Sequence, residues 1–306
     1  MRRTLVTGSG GLVGHALKRL NPADCFFSTR DDADLTDFEA TKRLFEKVQP
    51  THVIHLAAAV GGIGGNSIHS GEYFKSNIMM NLNVLELARE FQVKKVISFM
   101  STCVFPVDAK YPLTVDQLHD GPPHASNFGY AYAKRMLEVQ SSAYRKEFGC
   151  NFITLIPTNI YGPGDYWNLE EGHVIPSLIH KFYNAKKTST DVKLWGSGSP
   201  LREFIYSDDV AKLILWAMTN YDEVDPLILT PSEEVSIKEL SNLVCTLIEF
   251  QGKVIWDIDK PDGQLRKPSS NKHLLGLNPE VSFTPLGEGL QKTIEWFLLN
   301  HPNLRL

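Results

Sequence analysis

The chain has 306 residues, of which 42% are hydrophobic and 22% are charged, as is typical of a globular protein with a large buried core. The net charge is −4 and there is no basic block, which argues against a nucleic-acid partner. The sequence has no apolar run of membrane-spanning length, no recognisable secretory signal and no CxxC spacing among its four cysteines. We therefore expect no membrane partner, no metal site and a cytoplasmic location.

Strands and helices alternate through the first half of the chain. Short β-rich runs predict strands at 4–8, 25–30, 51–58, 94–101 and 151–157. Segments with helical spacing of apolar residues follow these runs at 13–21, 37–49, 77–92 and 130–148. This alternation predicts an α/β fold of the Rossmann type, with a doubly wound parallel sheet.

The pattern changes after about residue 160, where a turn-rich segment interrupts the alternation. A capping box, Ser236-x-x-Glu239, opens one of the later helices. The later elements predict a smaller mixed α/β C-terminal lobe for the substrate, while residues 201–220 are expected to return to the sheet. The predicted cofactor-binding domain is therefore 1–163 and about 201–225, and the predicted substrate lobe is about 164–200 and 226–306.

Gly8, Gly11 and Gly14 are spaced as GxxGxxG between the first predicted strand and the first predicted helix. Glycines permit a tight turn and the close approach of a pyrophosphate, and the helix N-terminus adds backbone N–H donors and a positive dipole end. The loop therefore predicts a dinucleotide site instead of a plain turn. Further contacts in this loop are assigned to Ser9, Leu12 and Val13.

Arg30 follows the second predicted strand, at the place where NAD enzymes carry an acidic residue for the ribose. A guanidinium suits a 2′-phosphate through paired N–H donors, which favours NADP(H). The alternative is that Arg30 is a solvated surface residue. The remaining cofactor contacts near predicted strand ends are assigned to Asp34, Leu35, Leu56, Ala57, Ala58 and Pro157.

Tyr130 and Lys134 lie four residues apart, on one face of a predicted helix. A nearby ammonium favours the phenolate and so lowers the pKa of a tyrosine from its ordinary value of about 10. Ser101, at the end of a predicted strand, can hydrogen-bond the same carbonyl oxygen, so the three groups suit ketone reduction by a nicotinamide. Cys103 is expected beside Ser101, because residues i and i+2 of a strand point to the same side.

The order of the glycine loop, "HLAA", "STCVFP", "YAYAK" and "PTNIYGP" resembles the extended short-chain dehydrogenase/reductase superfamily. The segments "AAAVGGIGGN", "SNFGYAYAKRM", "PTNIYGPGD", "GHVIPSLIHKF", "WGSGSPLREFIYSDD" and "KPDGQLRK" are similar, more narrowly, to the GDP-L-fucose synthase family. This resemblance covers most of the chain in family order. It implies a GDP-sugar substrate, 3,5-epimerisation of GDP-4-keto-6-deoxymannose, NADPH-dependent reduction at C4, and a homodimer through the helix carrying Tyr130 and Lys134.

The resemblance also implies roles for individual residues. Cys103 and His173 correspond to the family's acid/base pair for epimerisation, and the residue types leave open which of them is the base at each centre and which centre inverts first. For either residue the alternative is a structural role, in the core or at a helix N-terminus. Further cofactor contacts are assigned to Tyr130, Lys134, Asn159 and His173. The implied substrate contacts are Asn159, Val174, Lys181, Trp195, Arg202, Asp262 and Lys267.

Other activities of the same superfamily are the nearest alternatives. A 4,6-dehydratase typically carries an Asp-Glu pair after the Ser or Thr of this strand, but here the positions hold Cys103 and Val104. A 4-epimerase or a 4-reductase stays open, and a 4-epimerase would consume no net NADPH. A non-catalytic cofactor sensor usually loses the Tyr or the Lys, and both are present here.

Overall fold

The computed structural model describes residues 2–61, 68–169, 172–260 and 262–305. Its strands are β1 (Thr4–Thr7), β2 (Cys25–Phe27), β3 (His52–His55), β4 (Lys95–Phe99), β5 (Phe152–Pro157), β6 (Asn159–Tyr161), β7 (Val192–Trp195), β8 (Leu201–Tyr206), β9 (Leu227–Leu229), β10 (Glu234–Ser236) and β11 (Val254–Asp257). Its α-helices are α1 (Leu12–Leu20), α2 (Phe38–Val48), α3 (Ser70–Glu90), α4 (Phe128–Phe148), α5 (Val174–Thr188), α6 (Ser207–Asn220), α7 (Ile237–Ile248), α8 (Lys272–Leu277) and α9 (Leu286–Asn300).

A parallel sheet in the order β2-β1-β3-β4-β5-β9 forms the centre of the molecule. The strand order reverses at β1, because β2 lies on one side of it and the later strands lie on the other. In open α/β sheets, ligands bind beyond the carboxyl ends of the strands at such a switch point. The predicted doubly wound parallel sheet is confirmed, and the cleft between the ends of β1 and β3 is its expected ligand site.

Helices cover both faces of this sheet, which explains why its strands are apolar runs without alternation. Successive strand residues point to opposite faces. Val53 and Val96 therefore pack under α3 and α4, whereas Ile54 and Ile97 pack under α1 and α6. All four side chains are fully buried.

The second lobe has its own hydrophobic core, formed by α5, α7, α9 and two small sheets, β10-β8-β6 and β11-β7. The predicted capping box at the start of α7 is confirmed. The Ser236 backbone N–H donates to Glu239 Oε2 over 2.8 Å, and the Glu239 N–H donates to Ser236 Oγ over 3.1 Å. The hydrophobic core of this lobe, which includes α5 and α7, is separate from the two cores that cover the main sheet.

The strand that returns to the main sheet differs from the predicted one. Residues 201–220 form β8 and α6, but β8 pairs with β6 and β10 and not with the main sheet. The returning strand is β9, which pairs with β5 although it lies in the segment assigned to the substrate lobe. β9 has only three residues, all buried, so its sequence carries no alternation to predict it. The division into a cofactor domain and a substrate lobe stays a prediction.

Residues 62–66, which are most of the "GGIGGN" part of the family motif, lie outside the described residues. Within the described residues, no helix has the length and apolar character that a membrane span requires.

Candidate active site

The glycine loop after β1 packs directly against the end of β3. Gly8 has φ +67°, and a methyl group built on it would lie 2.5 Å from the backbone N of Ala57. A methyl group on Gly14 would lie 2.5 Å from Cα of Ser9. These contacts allow only glycine, as the motif predicts, and they place the loop at the switch point of the sheet.

The start of α1 can accept a phosphate group. The helix begins after Gly11, which provides no side-chain cap, and Leu12 and Val13 form its first turn. The uncapped backbone N–H groups and the positive helix end favour an anion there. Ser9 is fully buried and its N–H donates to Ser28 O over 3.1 Å, so its contact with the cofactor stays a prediction. The residues present therefore fit a dinucleotide pyrophosphate.

The ribose end of the predicted cofactor site follows β2. Arg30 is exposed and lies three residues beyond the end of the strand, not at its last residue. Asp34 accepts hydrogen bonds from the N–H and Oγ1 of Thr36 at 3.0 and 2.8 Å, and these bonds lower its pKa. Leu35 is buried beside this turn. The exposed guanidinium is free to approach a 2′-phosphate.

The other predicted cofactor residues follow the carboxyl ends of strands. Leu56, Ala57 and Ala58 follow β3, and Pro157 ends β5. Asn159 begins β6, and its side-chain amide donates to the carbonyl oxygen of Glu203 over 2.7 Å. All of these residues border the carboxyl edge of the main sheet.

Cys103 lies in a 3₁₀ turn and Ser101 immediately precedes that turn, so neither residue is in a strand. β4 ends at Phe99, and the turn Thr102–Val104 follows Ser101. The strand argument for placing the two side chains together is therefore wrong, although the Ser101 hydroxyl does hydrogen-bond the thiol. Burial raises the pKa of Cys103, while the charge of Lys267, the bond from Ser101 and the charge of Lys134 oppose it.

Tyr130 and Lys134 are buried on one face of α4, with Lys134 Nζ 6.0 Å from the centre of the Tyr130 ring. Burial lowers the pKa of Lys134 to about 8, with the charge of Cys103 opposing this effect. The pKa of Tyr130 is raised, not lowered as predicted, because burial disfavours its phenolate and the Cys103 thiolate adds repulsion. The buried phenol is therefore a proton donor at neutral pH.

His173 lies at the N-terminus of α5, in the second lobe, where its side chain is half exposed. Its Nδ1 is 3.8 Å from Oδ1 of the buried Asp165. Partial desolvation disfavours the charged ring, but the charge of Asp165 outweighs it and raises the pKa of His173. His173 therefore favours the protonated form, whereas Cys103 is surrounded by cations.

Three of the predicted substrate residues meet on the second lobe. The Trp195 ring is 68% exposed, so it is not a core residue. The ammonium groups of Lys181 and Lys260 lie 5.6 and 5.8 Å from its ring centre. Asp262 accepts from the N–H and Oγ of Ser197 at 2.9 and 2.6 Å, close after Trp195 in the chain. An exposed aromatic ring between two ammonium groups suits a base and a phosphate.

Arg202, Val174 and Lys267 complete the predicted substrate set. Arg202 is half buried, and its Nη1 donates to the carbonyl oxygens of Leu201 and Gln264 at 2.7 Å each. Val174 is the first residue of α5, next to His173. The charge of Lys267 also acts on the thiol of Cys103, an effect that the sequence did not predict.

A buried carboxylate holds the segment that carries Lys267. Glu203 accepts a hydrogen bond from the N–H of Ser269 over 3.0 Å, and burial raises its pKa to about 7. On the other side of the segment, Leu113 N–H donates to Pro268 O over 2.8 Å. Leu113 packs in the same cluster as Cys103, so these bonds position Lys267 near the thiol.

The comparisons with known proteins agree on one family. The pattern of the NAD dependent epimerase/dehydratase family matches residues 4–229. GDP-L-fucose synthase from Dictyostelium discoideum is 46% identical, over 99% of this chain and 98% of its own. A crystal structure of a GDP-L-fucose synthetase from Naegleria fowleri bound to NADP has a TM-score of 0.94 and 41% identity, over 100% of this chain and 96% of its own.

The chain belongs to the GDP-L-fucose synthase family. The Escherichia coli GDP-L-fucose synthase is also similar, at 31% identity over 99% of both chains. The predicted family and superfamily are confirmed. Family membership gives the cluster of Ser101, Cys103, Tyr130 and Lys134 its chemical context.

In this member of the GDP-L-fucose synthase family, several site residues carried no sequence signal. Thr7 Oγ1 lies 2.8 Å from His55 Nδ1, and His55 Nε2 lies 3.1 Å from Asn81 Oδ1. His55 is fully buried, and burial and the charge of Lys134 lower its pKa to about 3. These three hydrogen-bonded side chains are neutral, so they add no charge to the surroundings of Lys134.

Arg135 is another such residue, buried directly after Lys134 in α4. Its Nη1 donates to Gly121 O over 2.9 Å, and its Nε donates to Val104 O over 3.1 Å. The guanidinium thereby ties the turn that contains Cys103 to α4. Spacing in the sequence cannot reveal this contact, because both acceptors are backbone groups.

Proposed function

We propose that the protein converts GDP-4-keto-6-deoxy-D-mannose to GDP-L-fucose, by epimerisation at C3 and C5 and NADPH-dependent reduction at C4. The observation that carries this proposal is one cluster of Ser101, Cys103, Tyr130 and Lys134, which joins a thiol to a ketone-reducing set. The names of the relatives support the same reaction. The NADP-bound Naegleria relative confirms the prediction of NADP(H) as cofactor.

Epimerisation requires a base and an acid around an activated carbon. The C4 ketone acidifies the hydrogens on C3 and C5, because the enolate spreads its charge onto the C4 oxygen. Hydroxyl donors from Ser101 and Tyr130 stabilise that oxygen. Cys103 as thiolate removes a proton from one face, and His173 returns a proton to the other. Burial raises the pKa of Cys103, but the charges of Lys267 and Lys134 favour its thiolate and Asp165 favours protonated His173, which supports this division of roles.

Reduction uses the same carbonyl oxygen. When bound, NADPH supplies a hydride to C4. Tyr130 donates its phenolic proton to the C4 oxygen, while Ser101 holds that oxygen in place. Lys134, with its pKa lowered to about 8, can restore the proton to Tyr130 near neutral pH. The residues that would hold the cofactor are the Gly8–Gly14 loop, Arg30 and the strand ends around Ala57.

The nucleotide part of the substrate would bind on the second lobe. The exposed Trp195 ring offers a stacking surface for guanine, and Lys181 offers a charge for the pyrophosphate. Arg202 lies at the start of β8, and Asp262 lies in the segment after β11. The two parts of the chain are in contact, because Arg202 donates to Gln264 O. We assign Asn159 to the sugar, because it lies between this lobe and the main sheet.

We also propose a homodimer through α3 and α4 and a cytoplasmic location. Phe74 and Leu82 on α3, and Phe128 and Val139 on α4, are exposed apolar residues on two helices that pack together. The four cysteines are free, which suits a reducing compartment. Light scattering of wild type and Leu82→Glu tests the dimer, because the charged variant should be monomeric.

The reaction is tested with GDP-4-keto-6-deoxy-D-mannose and NADPH, by following NADPH absorbance and identifying the product sugar. Wild type should oxidise one NADPH per substrate and form GDP-L-fucose. Cys103→Ser should be inactive or release the unepimerised 6-deoxy sugar, while Cys245→Ser, a change in the second lobe, should match wild type. No net NADPH oxidation would favour a 4-epimerase. A fully active Cys103→Ser would assign the thiol to packing.

A further inference from the structure

The segment after α9 returns from the second lobe to the glycine loop. The backbone N–H of Trp167 donates to the carbonyl oxygen of Arg305 over 2.9 Å. The guanidinium carbon lies 5.6 Å from the centre of the Tyr166 ring. A methyl group built on Gly11 would lie 4.0 Å from Nη1 of Arg305. The guanidinium is thus held beside the residue that precedes α1.

This placement is electrostatically unfavourable for the protein alone. The N-terminus of α1 carries a partial positive charge, and the first turn of this helix contains no acidic residue. The charge of Arg305 also repels the protonated rings of His15 and His173. Within residues 2–61, 68–169, 172–260 and 262–305, no carboxylate forms an ion pair with Arg305. The Arg305 cation therefore lies near a positive helix end and acts on two imidazoles, of which His173 has Asp165 as its carboxylate partner.

An anion bound here would attract the guanidinium and the helix end and so offset their mutual repulsion. We propose that Arg305 binds the pyrophosphate of the dinucleotide cofactor, opposite the N–H groups of α1; this inference rests on the NADP(H) assignment. A guanidinium presents paired N–H donors that match phosphate oxygens. The 2′-phosphate is a poorer candidate, because its expected partner is Arg30, which lies after β2 at the predicted position of the adenosine ribose. The GDP pyrophosphate is expected near Trp195.

The inference assigns a cofactor role to a residue outside the nucleotide-binding half of the chain. Arg305 follows α9, which packs in the core of the second lobe. Cofactor binding would therefore join the two lobes directly, through one side chain. Nothing in the GxxGxxG pattern identifies this residue, because the pattern describes only backbone approach.

The test measures binding, not turnover. NADPH and NADH are titrated by nicotinamide fluorescence, and GDP by calorimetry, against wild type, Arg305→Gln, Arg305→Lys and the control Lys292→Gln. Lys292 is a cation of α9 that pairs with Glu288 on the surface. Arg305→Gln should raise the Kd of NADPH and of NADH by about tenfold each, since one charged hydrogen-bonding group is lost. Arg305→Lys should recover part of this loss, and GDP binding should not change.

Other outcomes would overturn the proposal. A loss confined to NADPH would assign Arg305 to the 2′-phosphate, and a loss confined to GDP would assign it to the substrate. Unchanged binding of both cofactors by a folded Arg305→Gln would reject any cofactor contact. A wild-type protein that binds neither cofactor would instead refute the NADP(H) assignment, so the two failures are distinguishable.

Discussion

Asp165 offers a direct test of the acid role of His173. The two groups are 3.8 Å apart, and the His173 side chain is 51% exposed. At this exposure the surroundings are water-like, and the attraction is about 1 kcal/mol. That energy corresponds to about a sixfold change in an equilibrium constant. In Asp165→Asn the pKa of His173 should fall, because the carboxylate that favours the imidazolium is gone.

The effect should be visible in epimerisation alone. Deuterium incorporation from heavy water at C3 and C5 measures proton exchange without NADPH. Because His173 must be protonated to donate, the alkaline limb of the pH profile should move to lower pH, with about a sixfold lower rate above it. Asp222→Asn, which removes a carboxylate paired with Lys95 at the start of β4, should leave the profile unchanged. An unmoved limb in Asp165→Asn would refute the acid assignment.

Three other substitutions test the glycine loop, the cation near Cys103 and the buried carboxylate of Glu203. Gly14→Ala should weaken NADPH binding and lower Tm, because the added methyl meets Ser9, whereas Gly10→Ala has open space and should match wild type; equal Kd values would contradict the packing argument. Lys267→Gln should raise the pH midpoint of Cys103 alkylation, since a charge that favours the thiolate is lost. The control Arg266→Gln removes a cation paired with Glu234 and should not move it, and no difference between the two would exclude a role for Lys267. Glu203 has a pKa raised to about 7, so its contribution to the free energy of unfolding is full below about 4.5 and declines as the pH rises through 7. Urea unfolding of Glu203→Gln should lack this decline, which amounts to about 3 kcal/mol, and a parallel pH dependence would contradict it.

Local spacing predicted the parts of the site that lie close together in the chain. The GxxGxxG loop and the Tyr130–Lys134 pair are where periodicity places them, because strand and helix geometry fix them. Cys103 was grouped with Ser101 for the wrong reason, since the chain leaves β4 before either residue.

Contacts made across the fold left no such pattern. The pairing of Asp165 with His173 depends on how a turn packs against α5, and the contact of Arg305 with the glycine loop depends on the path of the last segment. β9 is too short to show a period. Family resemblance supplied the role of His173, but the carboxylate behind it required three-dimensional structure.

The bonds from Arg135 to Val104 and Gly121 have a mechanical consequence. They clamp the thiol-bearing turn to the helix that carries the phenol and the ammonium, so these groups move as one rigid body. His173 lies on the other lobe, at the start of α5. A hinge movement between the lobes would therefore change the separation of the thiol and the imidazole while the carbonyl-holding groups kept their spacing. Inversion at C3 and C5 would respond to such movement, and proton delivery to the C4 oxygen would not.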